Sequence, residues 1–511
     1  MIDSDEMRQV PESEIKNRLA FDNPWWEEGA VDERFRIWPR RAYFDGFVKL
    51  VTETAVRRAV VLMGPRRVGK TVMIHQAVQH LLENGIDPKR VLYLSVDTPV
   101  YTGRTLENLL RDFLEVHGHG RQGPVFAFFD EIQYHPEWEI HLKSLVDSYP
   151  AIRFIVSGSA AAALKLKDRE SGAGRFTDFV LPPLTFSEFL EFAEREPEVG
   201  DEALKLLSEI GVFDPRTDTD SFSRFFDILA GCGPHTVGFV DQLNRAFIDY
   251  LNFGGFPEAI LEKKVRDQMD RFVANDIIDK VLLRDLPSLY GVSDTLELKR
   301  LFTTLAYNTG QEVSIEALAQ TAQAAKNTIK KYLDYLEAAF LIVRLYRVDQ
   351  NARRLKKRSH FKVHLTNPCL RAALFGAVKE DDPSMGLIAE SALVSQYAHA
   401  RVSDRLHFAR WKSGEVDVVV LAPDLRGVQL AMEVKWSDRP FRQADRVLKR
   451  FIGFCRKNNP EVCYVTTKTI YAVQYVEGVK VKFVPLALDC WLSGKLFLYE
   501  DVTAGKYPLT G

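Results

Sequence analysis

The chain has 511 residues, more than one hydrophobic core can organise, so we expect roughly two to four domains. With 46% hydrophobic and 27% charged residues the composition is ordinary for a globular protein, and the formal net charge of −2 excludes a chain that is basic throughout. A nucleic-acid interface would therefore have to be a local patch.

The cysteines and the N-terminal residues indicate a compartment. Five widely spaced cysteines without a Cys-x-x-Cys pair argue against a disulfide framework and against a zinc site, and they favour a reducing cytoplasm. The polar start, MIDSDEMRQV, predicts no signal peptide, and the most apolar short stretch, AAFLIV, is far shorter than the roughly 20 residues of a membrane helix. We therefore expect a cytoplasmic protein with no membrane partner.

The first part of the chain predicts an α/β fold. Residues 1–40 are polar with a few aromatic side chains, and we interpret them as an N-terminal arm. From 41 to 184, helical patterns alternate with short apolar runs, at 59–63, 91–96, 125–129, 152–157 and 178–181. Such runs are typical of strands that are buried on both faces, and the intervening helices imply right-handed crossovers. The sequence thus predicts a domain with a parallel sheet.

Three further regions follow in chain order. Helical periodicity dominates 185–294, which we interpret as a helical lid or connector. Residues 295–364 contain short helices followed by a strand, the order of a winged helix-turn-helix. From 365 to 511 the pattern is α/β again, and two of its strands, at 416–423 and 428–436, are joined by a tight turn.

A nucleotide-binding motif comes directly after the first apolar run. The pattern G-x-x-x-x-G-K-[ST] is matched at every position by Gly64, Pro65, Arg66, Arg67, Val68, Gly69, Lys70 and Thr71, and the predicted site extends to Val72. Glycines let backbone N–H groups converge on phosphate oxygens at the start of a helix. In this pattern Lys70 reaches the β- and γ-phosphates and the Thr71 hydroxyl ligates Mg²⁺. The sequence therefore predicts a P-loop fold.

Two carboxylates stand at the end of the third apolar run. Asp130, at the tip of a buried strand, is where a second magnesium contact belongs, and Glu131 beside it can polarise the attacking water. Two acids in this place can also begin a helix. Because they accompany a P-loop, we expect Mg²⁺-dependent hydrolysis of a nucleotide.

The motifs together resemble those of a known family. VVLMGPRRVGKT, FFDEIQ, FIVSGSAAAALK, SGAGRFTDFVLPPLTFSEFL, FGGFPEAI, KNTIKKYLDYLEAAFLI and MEVK stand in the order found in prokaryotic AAA-type ATPases that carry a C-terminal domain of unknown function. The resemblance implies that the nucleotide is ATP. It also implies that Ser157, or Ser159 as the alternative, is the polar sensor of the γ-phosphate. Arg175 resembles an arginine finger that acts across the interface of a homo-oligomer, although a salt-bridged surface arginine is the alternative.

The C-terminal region contains charged residues inside apolar segments. Glu390 lies in a predicted helix, Asp417 begins a strand, and Glu433 and Lys435 share one face of the next strand. The set resembles a PD-(D/E)xK nuclease core, in which Asp417 and Glu433 would hold Mg²⁺ against the scissile phosphate and Lys435 would orient water. Glu390 would support the metal, and Gln443 is a weak further candidate. An active nuclease, a degenerate nuclease fold used for binding, and an unrelated hairpin all remain open.

A local excess of basic residues lies between the last two regions. The segment from Arg344 to Lys362 also contains Arg347, Arg353, Arg354, Lys356, Lys357 and Arg358, and Asp349 is its only acid. A surface that contacts DNA or RNA phosphates is one interpretation, and a solvated loop is the other. The predicted recognition helix carries Asn327, Thr328, Lys330 and Lys331.

Two functional hypotheses follow. The first is an ATP-driven protein that acts on nucleic acid and carries a C-terminal metal-dependent nuclease. The second is a switch ATPase, in which the nucleotide controls binding to a protein or nucleic-acid partner and the nuclease-like domain is inactive.

Overall fold

The computed structural model describes residues 10–120, 123–159, 174–195, 236–354, 359–398 and 403–503. The chain divides into two compact units, and the boundary lies between Leu181 and Pro182. Among the described residues, no helix combines the length and the apolar character needed to cross a membrane.

The first unit is built on five parallel strands in the spatial order β2-β3-β4-β1-β5. The strands are β1 Ala59–Met63, β2 Val91–Ser95, β3 Val125–Asp130, β4 Ile152–Gly158 and β5 Phe176–Val180. Its helices are Glu12–Asp22, Trp25–Glu28, Glu33–Arg36, Phe44–Thr52, Lys70–Glu83, Leu106–Val116 and Trp138–Ser148. The predicted α/β P-loop fold with a parallel sheet is confirmed. Because β4 lies between β1 and β3, the P-loop and the acids after β3 meet on either side of β4.

Residues 10–40, predicted as an arm, pack against the edge of this sheet. Asn23 is fully buried, and its side-chain amide pairs with the outer edge of β2, donating to Tyr93 O at 2.8 Å and accepting from Tyr93 N at 2.6 Å. The indole N–H groups of Trp25 and Trp26 both donate to Val91 O, at 3.1 and 2.9 Å. These side chains satisfy backbone groups that an unpaired edge strand would otherwise expose.

The second unit contains a mixed sheet of nine strands in the order β13-β14-β12-β11-β10-β9-β7-β8-β6. The strands are β6 Glu312–Ser314, β7 Ile342–Val348, β8 His360–Leu365, β9 Leu406–Trp411, β10 Gly414–Leu421, β11 Val428–Glu433, β12 Val462–Thr467, β13 Ala472–Val476 and β14 Val479–Pro485. Strands β7 and β9 pair in parallel. The strands of the predicted winged helix and those of the predicted nuclease-like region therefore belong to one sheet.

Helices cover both faces of the second sheet. They are Phe186–Phe192, Thr236–Phe253, Pro257–Leu261, Lys263–Arg266, Met269–Arg271, Leu286–Tyr290, Thr295–Tyr307, Ile315–Ala322, Lys326–Ala338, Cys369–Phe375, Met385–Tyr397, Arg439–Arg442, Ala444–Val447, Lys449–Asn458 and Leu486–Thr503, with π-helical turns at Phe272–Asp279 and Val281–Asp285. Along β10, Val418 and Val420 belong to one hydrophobic cluster, whereas Val419 and Leu421 belong to another. This alternation explains the continuous apolar runs in the sequence, because both faces of the strand are buried.

The role of Asn23 at the edge of β2 can be tested by substitution. Asn23→Ala leaves the buried N–H and C=O of Tyr93 without partners, so we expect the first unit to lose about 1–3 kcal/mol of unfolding free energy. Asn108 is exposed and serves as the control, and Asn108→Ala should change stability by less than about 0.5 kcal/mol. Urea denaturation measures both, and equal losses in the two variants would contradict the edge-pairing account.

Candidate functional site

The P-loop connects β1 to the helix Lys70–Glu83. Gly69, immediately before the helix, has a φ of 96°, which favours glycine. Gly64 needs the absence of a side chain for a different reason, since a Cβ there would lie 2.2 Å from Leu181 O. The Lys70 ammonium donates to Gly64 O at 3.0 Å and to Pro65 O at 2.9 Å, so it is held within the loop that the motif forms.

Asp130, the last residue of β3, is buried and accepts hydrogen bonds from several elements of the first unit. Thr71 Oγ1 donates to its Oδ2 at 2.7 Å, and the Tyr93 hydroxyl donates to the same oxygen at 3.1 Å. Ser157 Oγ, from β4, and the backbone N–H of Glu131 donate to Oδ1, the latter at 3.0 Å. The predicted residues Thr71, Asp130 and Ser157 are thus brought together at the carboxyl edge of the sheet, where open α/β sheets bind ligands.

The P-loop pattern implies a magnesium ion, and the side chains at this edge fit one. The hydroxyl oxygen of Thr71 and the carboxylate of Asp130 are in direct contact, and oxygen ligands of this kind are the ones that Mg²⁺ prefers. Thr71 and Asp130 would hold the ion, which when bound would neutralise phosphate charge.

Glu131 occupies a constrained position beside Asp130. Its φ of 54° lies in the left-handed region, and its carboxylate accepts a hydrogen bond from the side-chain amide of Gln133. Gln133 Oε1 in turn accepts from Ser159 N at 3.0 Å. Burial, with a further contribution from the charge of Asp130, raises the pKa of Glu131. A carboxylate with a raised pKa is better suited to accept a proton from water.

Arg175 is not brought to the P-loop of its own chain. It precedes β5, and its carbonyl accepts a hydrogen bond from Ala59 N at the start of β1, which is the opposite edge of the sheet from the P-loop. Its guanidinium pairs with Asp147, with Arg175 Nε 2.6 Å from Asp147 Oδ1. A role in a neighbouring subunit's site stays a prediction.

Sequence reasoning missed two residues of this site. Tyr93 lies inside the apolar run VLYLS, where nothing distinguishes a tyrosine that packs from one that binds a carboxylate. Gln133 belongs to the motif FFDEIQ, so its position is visible in the sequence, although the motif alone assigns it no role.

The second unit brings the predicted nuclease-like residues together. Lys435 Nζ lies 2.9 Å from Asp417 Oδ2 and 2.9 Å from Glu433 Oε1. The backbone N–H of Val434 also donates to Asp417 Oδ2, at 2.9 Å. The side chain of Glu390, from the helix Met385–Tyr397, approaches from the other side of Asp417. Gln443 instead accepts a hydrogen bond from Arg439 Nε at 3.3 Å.

Lys362, which the sequence analysis placed in the basic segment, is the unexpected member of this cluster. Its side chain is only 3% exposed, and its Nζ lies 2.8 Å from Glu390 Oε1, 2.6 Å from Glu415 Oε1 and 3.7 Å from Asp417 Oδ1. The carboxylates therefore alternate with ammonium groups, since Lys362 lies between Glu390 and Asp417 and Lys435 lies between Asp417 and Glu433. The sequence feature that could have revealed the buried position of Lys362 is a lysine inside an otherwise apolar strand, HFKVHL.

Burial and ion pairing shift the pKa of each group in this cluster in opposite directions. Burial raises the pKa of Glu390 to about 8 and that of Glu433 to about 7, although neighbouring lysines offset part of each shift. Burial also disfavours the charge of Lys362, but Glu390, Asp417 and Glu415 outweigh it and raise the pKa of the ammonium. For Asp417, burial is outweighed by Lys435 and Lys362, which lower the pKa of the carboxyl.

The cluster does not fit a divalent metal ion as it stands. In the part of the chain that the structure describes, no group of three or more His, Cys, Asp or Glu side chains is arranged to hold one. The carboxylate oxygens face lysine ammonium groups, so we derive no metal-dependent step at this site.

Other members of the basic segment are also paired inside the second unit. Arg344 is 12% exposed and binds Asp334 at 2.8 Å as well as Glu337. Arg347 lies 3.4 Å from Glu312. The interpretation of Arg344 and Lys362 as phosphate contacts is therefore wrong, because these two side chains are largely buried and are held by carboxylates within the fold. For the more exposed Arg347 it stays a prediction. Arg353 and Arg354 are exposed, and Lys356, Lys357 and Arg358 lie outside the described residues.

Comparisons with known proteins agree with the geometry of the first site. Residues 56–190 match a family model described as an AAA domain. The region that contains the P-loop is therefore similar to AAA domains. Residues 244–381 match a second model, described as a domain of unknown function. That match includes the predicted winged helix together with part of the helical connector.

Two relatives illustrate the extent of the similarity. An uncharacterized protein of Haemophilus influenzae is 26% identical over 294 residues, which cover 57% of this chain and 62% of the relative. An uncharacterized protein of Methanocaldococcus jannaschii is 25% identical over 408 residues, which cover 78% of this chain and 80% of the relative. The chain thus spans less than two thirds of the first relative's length.

Solved structures give only distant likenesses. The Aeropyrum pernix ORC1 protein in complex with DNA aligns over 66% of this chain and 92% of its own, at 14% identity and a TM-score of 0.29. AMPPCP-bound DnaA from Aquifex aeolicus aligns over 61% of this chain and 90% of its own, at 14% identity and a TM-score of 0.23. Scores this far below 0.5 establish nothing about function.

The distinction between paired and exposed arginines in the basic segment can be tested. Arg344→Ala removes charge-assisted hydrogen bonds from a half-buried position, so we expect a loss of about 1–3 kcal/mol in unfolding free energy. Arg353→Ala, in the same segment but exposed, should change it by less than about 0.5 kcal/mol. Thermal or chemical unfolding measures both, and equal stability of the two variants would mean that the Arg344 ion pairs contribute nothing.

Proposed function

We propose that the first unit binds ATP with Mg²⁺ and hydrolyses it. The observation that carries the proposal is the convergence of Thr71, Ser157 and Glu131 on Asp130 beside the P-loop. Lys70 would contact the phosphates, and the residues from Gly64 to Val72 would surround them with backbone N–H groups.

Glu131 would serve as the general base. The side-chain amide of Gln133 donates a hydrogen bond to one carboxylate oxygen of Glu131. For catalysis, either this hydrogen bond must open or the attacking water must approach the other carboxylate oxygen. Ser157, already in contact with Asp130, is the better sensor candidate, because the backbone of Ser159 is held by Gln133 instead.

Nucleic acid is the proposed partner of the second unit. The segment from the helix Thr295–Tyr307 to β8 runs helix, strand, helix, helix, strand, strand, and β8 lies between β6 and β7, which is the arrangement of a winged helix. Its second short helix, Lys326–Ala338, exposes Asn327, Lys330 and Lys331. Arg353 and Arg354, exposed between β7 and β8, would add a basic wing.

Of the two hypotheses from the sequence, the structure favours a switch ATPase over a nuclease. The specific observation is Lys362, whose ammonium lies among the carboxylates that would have to hold the metal. We therefore propose that ATP binding and hydrolysis control the affinity of the protein for nucleic acid, and that the protein does not cleave the nucleic acid. Assembly into a homo-oligomer, with Arg175 acting between subunits, belongs to this proposal.

The assignment of the ATP site predicts separable effects on binding and turnover. Glu131→Gln keeps the shape but removes the base, so we expect ATP affinity to persist and kcat to fall by about 10²–10⁴-fold. Lys70→Ala should lose ATP affinity, because the P-loop binds the β- and γ-phosphates through this ammonium. Glu137→Gln, an exposed change six residues further along, is the control. Calorimetry and phosphate release measure the two effects, and wild-type turnover in Glu131→Gln would place the base elsewhere.

The winged-helix assignment predicts a salt-dependent interaction. Replacing Lys330, Lys331, Arg353 and Arg354 by Glu should weaken duplex binding, and the slope of log K against log salt should flatten by about 0.9 for each phosphate that the variant no longer neutralises. Lys480→Glu, also exposed but in β14, reverses one charge outside the proposed interface and serves as the control, which should not change the slope. Fluorescence anisotropy at several salt concentrations measures the binding constant for the duplex. An unchanged slope in the quadruple variant would mean that the interface lies on another surface.

A further inference from the structure

The centre of the nuclease-like cluster is a lysine ammonium. Oxygens of Glu415, Glu390 and Asp417 lie 2.6, 2.8 and 3.7 Å from Lys362 Nζ. These carboxylates come from the strand β10 and from the helix Met385–Tyr397, and they converge on one point. Charges this deeply buried are stable only when they are paired or bound to a metal ion.

We propose that Lys362 is the resident cation of this cluster in place of a divalent metal ion, and that removing its ammonium converts the cluster into a metal site. This inference deepens the switch-ATPase proposal, because it gives the reason why the nuclease-like domain cuts no nucleic acid. It concerns the second unit alone, and ATP hydrolysis in the first unit does not depend on it.

The position of Lys362 is fixed by the backbone around it. Lys362 stands in β8, where its backbone is aligned with Glu312 of β6 on one side and with Leu345 of β7 on the other. Its Nζ also lies 5.4 Å from the centre of the Phe408 ring, close enough for a cation–π contact. Strand pairing on both sides thus fixes the backbone of Lys362, and an aromatic ring lies close to its ammonium.

The surrounding acceptors show what a metal ion would meet once the ammonium is gone. The oxygens of Glu390 and Glu415 would need to move inward by only a few tenths of an ångström to reach the roughly 2.3–2.6 Å of a flexible oxygen-ligated cation such as Ca²⁺. Glu433 Oε2 and His364 Nε2 are buried without a hydrogen-bond partner among the described residues, and His364 Nε2 lies 3.8 Å from Glu390 Oε1. A neutral imidazole nitrogen is a metal ligand in proteins, so His364 places a nitrogen donor beside these oxygens.

The test uses the full-length chain without nucleotide and Mn²⁺ as the probe, with free Mn²⁺ followed by electron paramagnetic resonance. Lys362→Met keeps an unbranched side chain, one atom shorter than lysine, but removes the charge, and we expect it to bind one more Mn²⁺ per chain than the wild type. Adding Glu390→Gln to that variant should abolish the extra site. Lys480→Met is the control, because it removes an exposed ammonium in β14 and leaves the cluster intact, so it should gain no site.

Either of two results in the Mn²⁺ titration would overturn the proposal. One is a wild-type chain that binds a Mn²⁺ ion which Glu390→Gln removes, and the other is a folded Lys362→Met chain that binds no additional Mn²⁺. If Lys362→Met does not fold, thermal unfolding of the wild type decides the question. We expect the same midpoint temperature of unfolding in Mn²⁺ and in chelator. A midpoint that Mn²⁺ raises in the wild type but not in Glu390→Gln would overturn the proposal. ATP turnover measured on the same samples tests the proposed function separately.

Discussion

The first unit depends on the hydrogen bonds that the carboxylate of Asp130 accepts. It is buried at the end of β3 and accepts hydrogen bonds from the start of the P-loop helix, from β2 and from β4. Parallel strands end at one edge of their sheet, so a single acid placed there can align groups that are distant in sequence. The P-loop glycines shape the backbone, but Asp130 fixes where the Thr71 hydroxyl points relative to Ser157.

The second unit solves a different electrostatic problem. Buried carboxylates repel one another unless cations separate them, and here Lys362 and Lys435 occupy the places between Glu390, Asp417 and Glu433. Strand pairing across the whole sheet makes this possible, because β8 of the proposed winged helix supplies Lys362 to acids of the nuclease-like region. The two regions therefore share a charge cluster as well as a sheet. A change in the position of β8 would alter both.

Local sequence patterns predicted the elements whose causes are local. The P-loop could be recognised because its glycines, Lys70 and Thr71 are contiguous, and the parallel sheet could be recognised because strands buried on both faces produce apolar runs. The convergence of Asp417, Glu433 and Lys435 also followed from strand periodicity and one tight turn. Each of these inferences needed only residues that are close along the chain.

The sequence did not reveal features that depend on distant pairing. Lys362 appeared to be one more cation in a basic stretch, because its carboxylate partners lie 28 or more residues away. Asn23 gave no sign that its amide would pair with β2, since the edge it covers lies about 70 residues further along the chain. In both cases the tertiary contact, which local propensity cannot report, decides what the side chain does. For Arg175 the salt bridge to Asp147 agrees with the alternative that the sequence already offered, and a role between subunits stays a prediction.

The measurement that tests the central claim most directly is phosphate release from ATP by wild-type protein and by Asp130→Asn across a range of Mg²⁺ concentrations. The amide preserves the size of the side chain but removes the charge on which Thr71, Tyr93 and Ser157 converge. The account predicts Mg²⁺-dependent turnover in the wild type and its loss in Asp130→Asn, with both proteins folded. Equal turnover by the two proteins, or none by the wild type at any Mg²⁺ concentration, would contradict it.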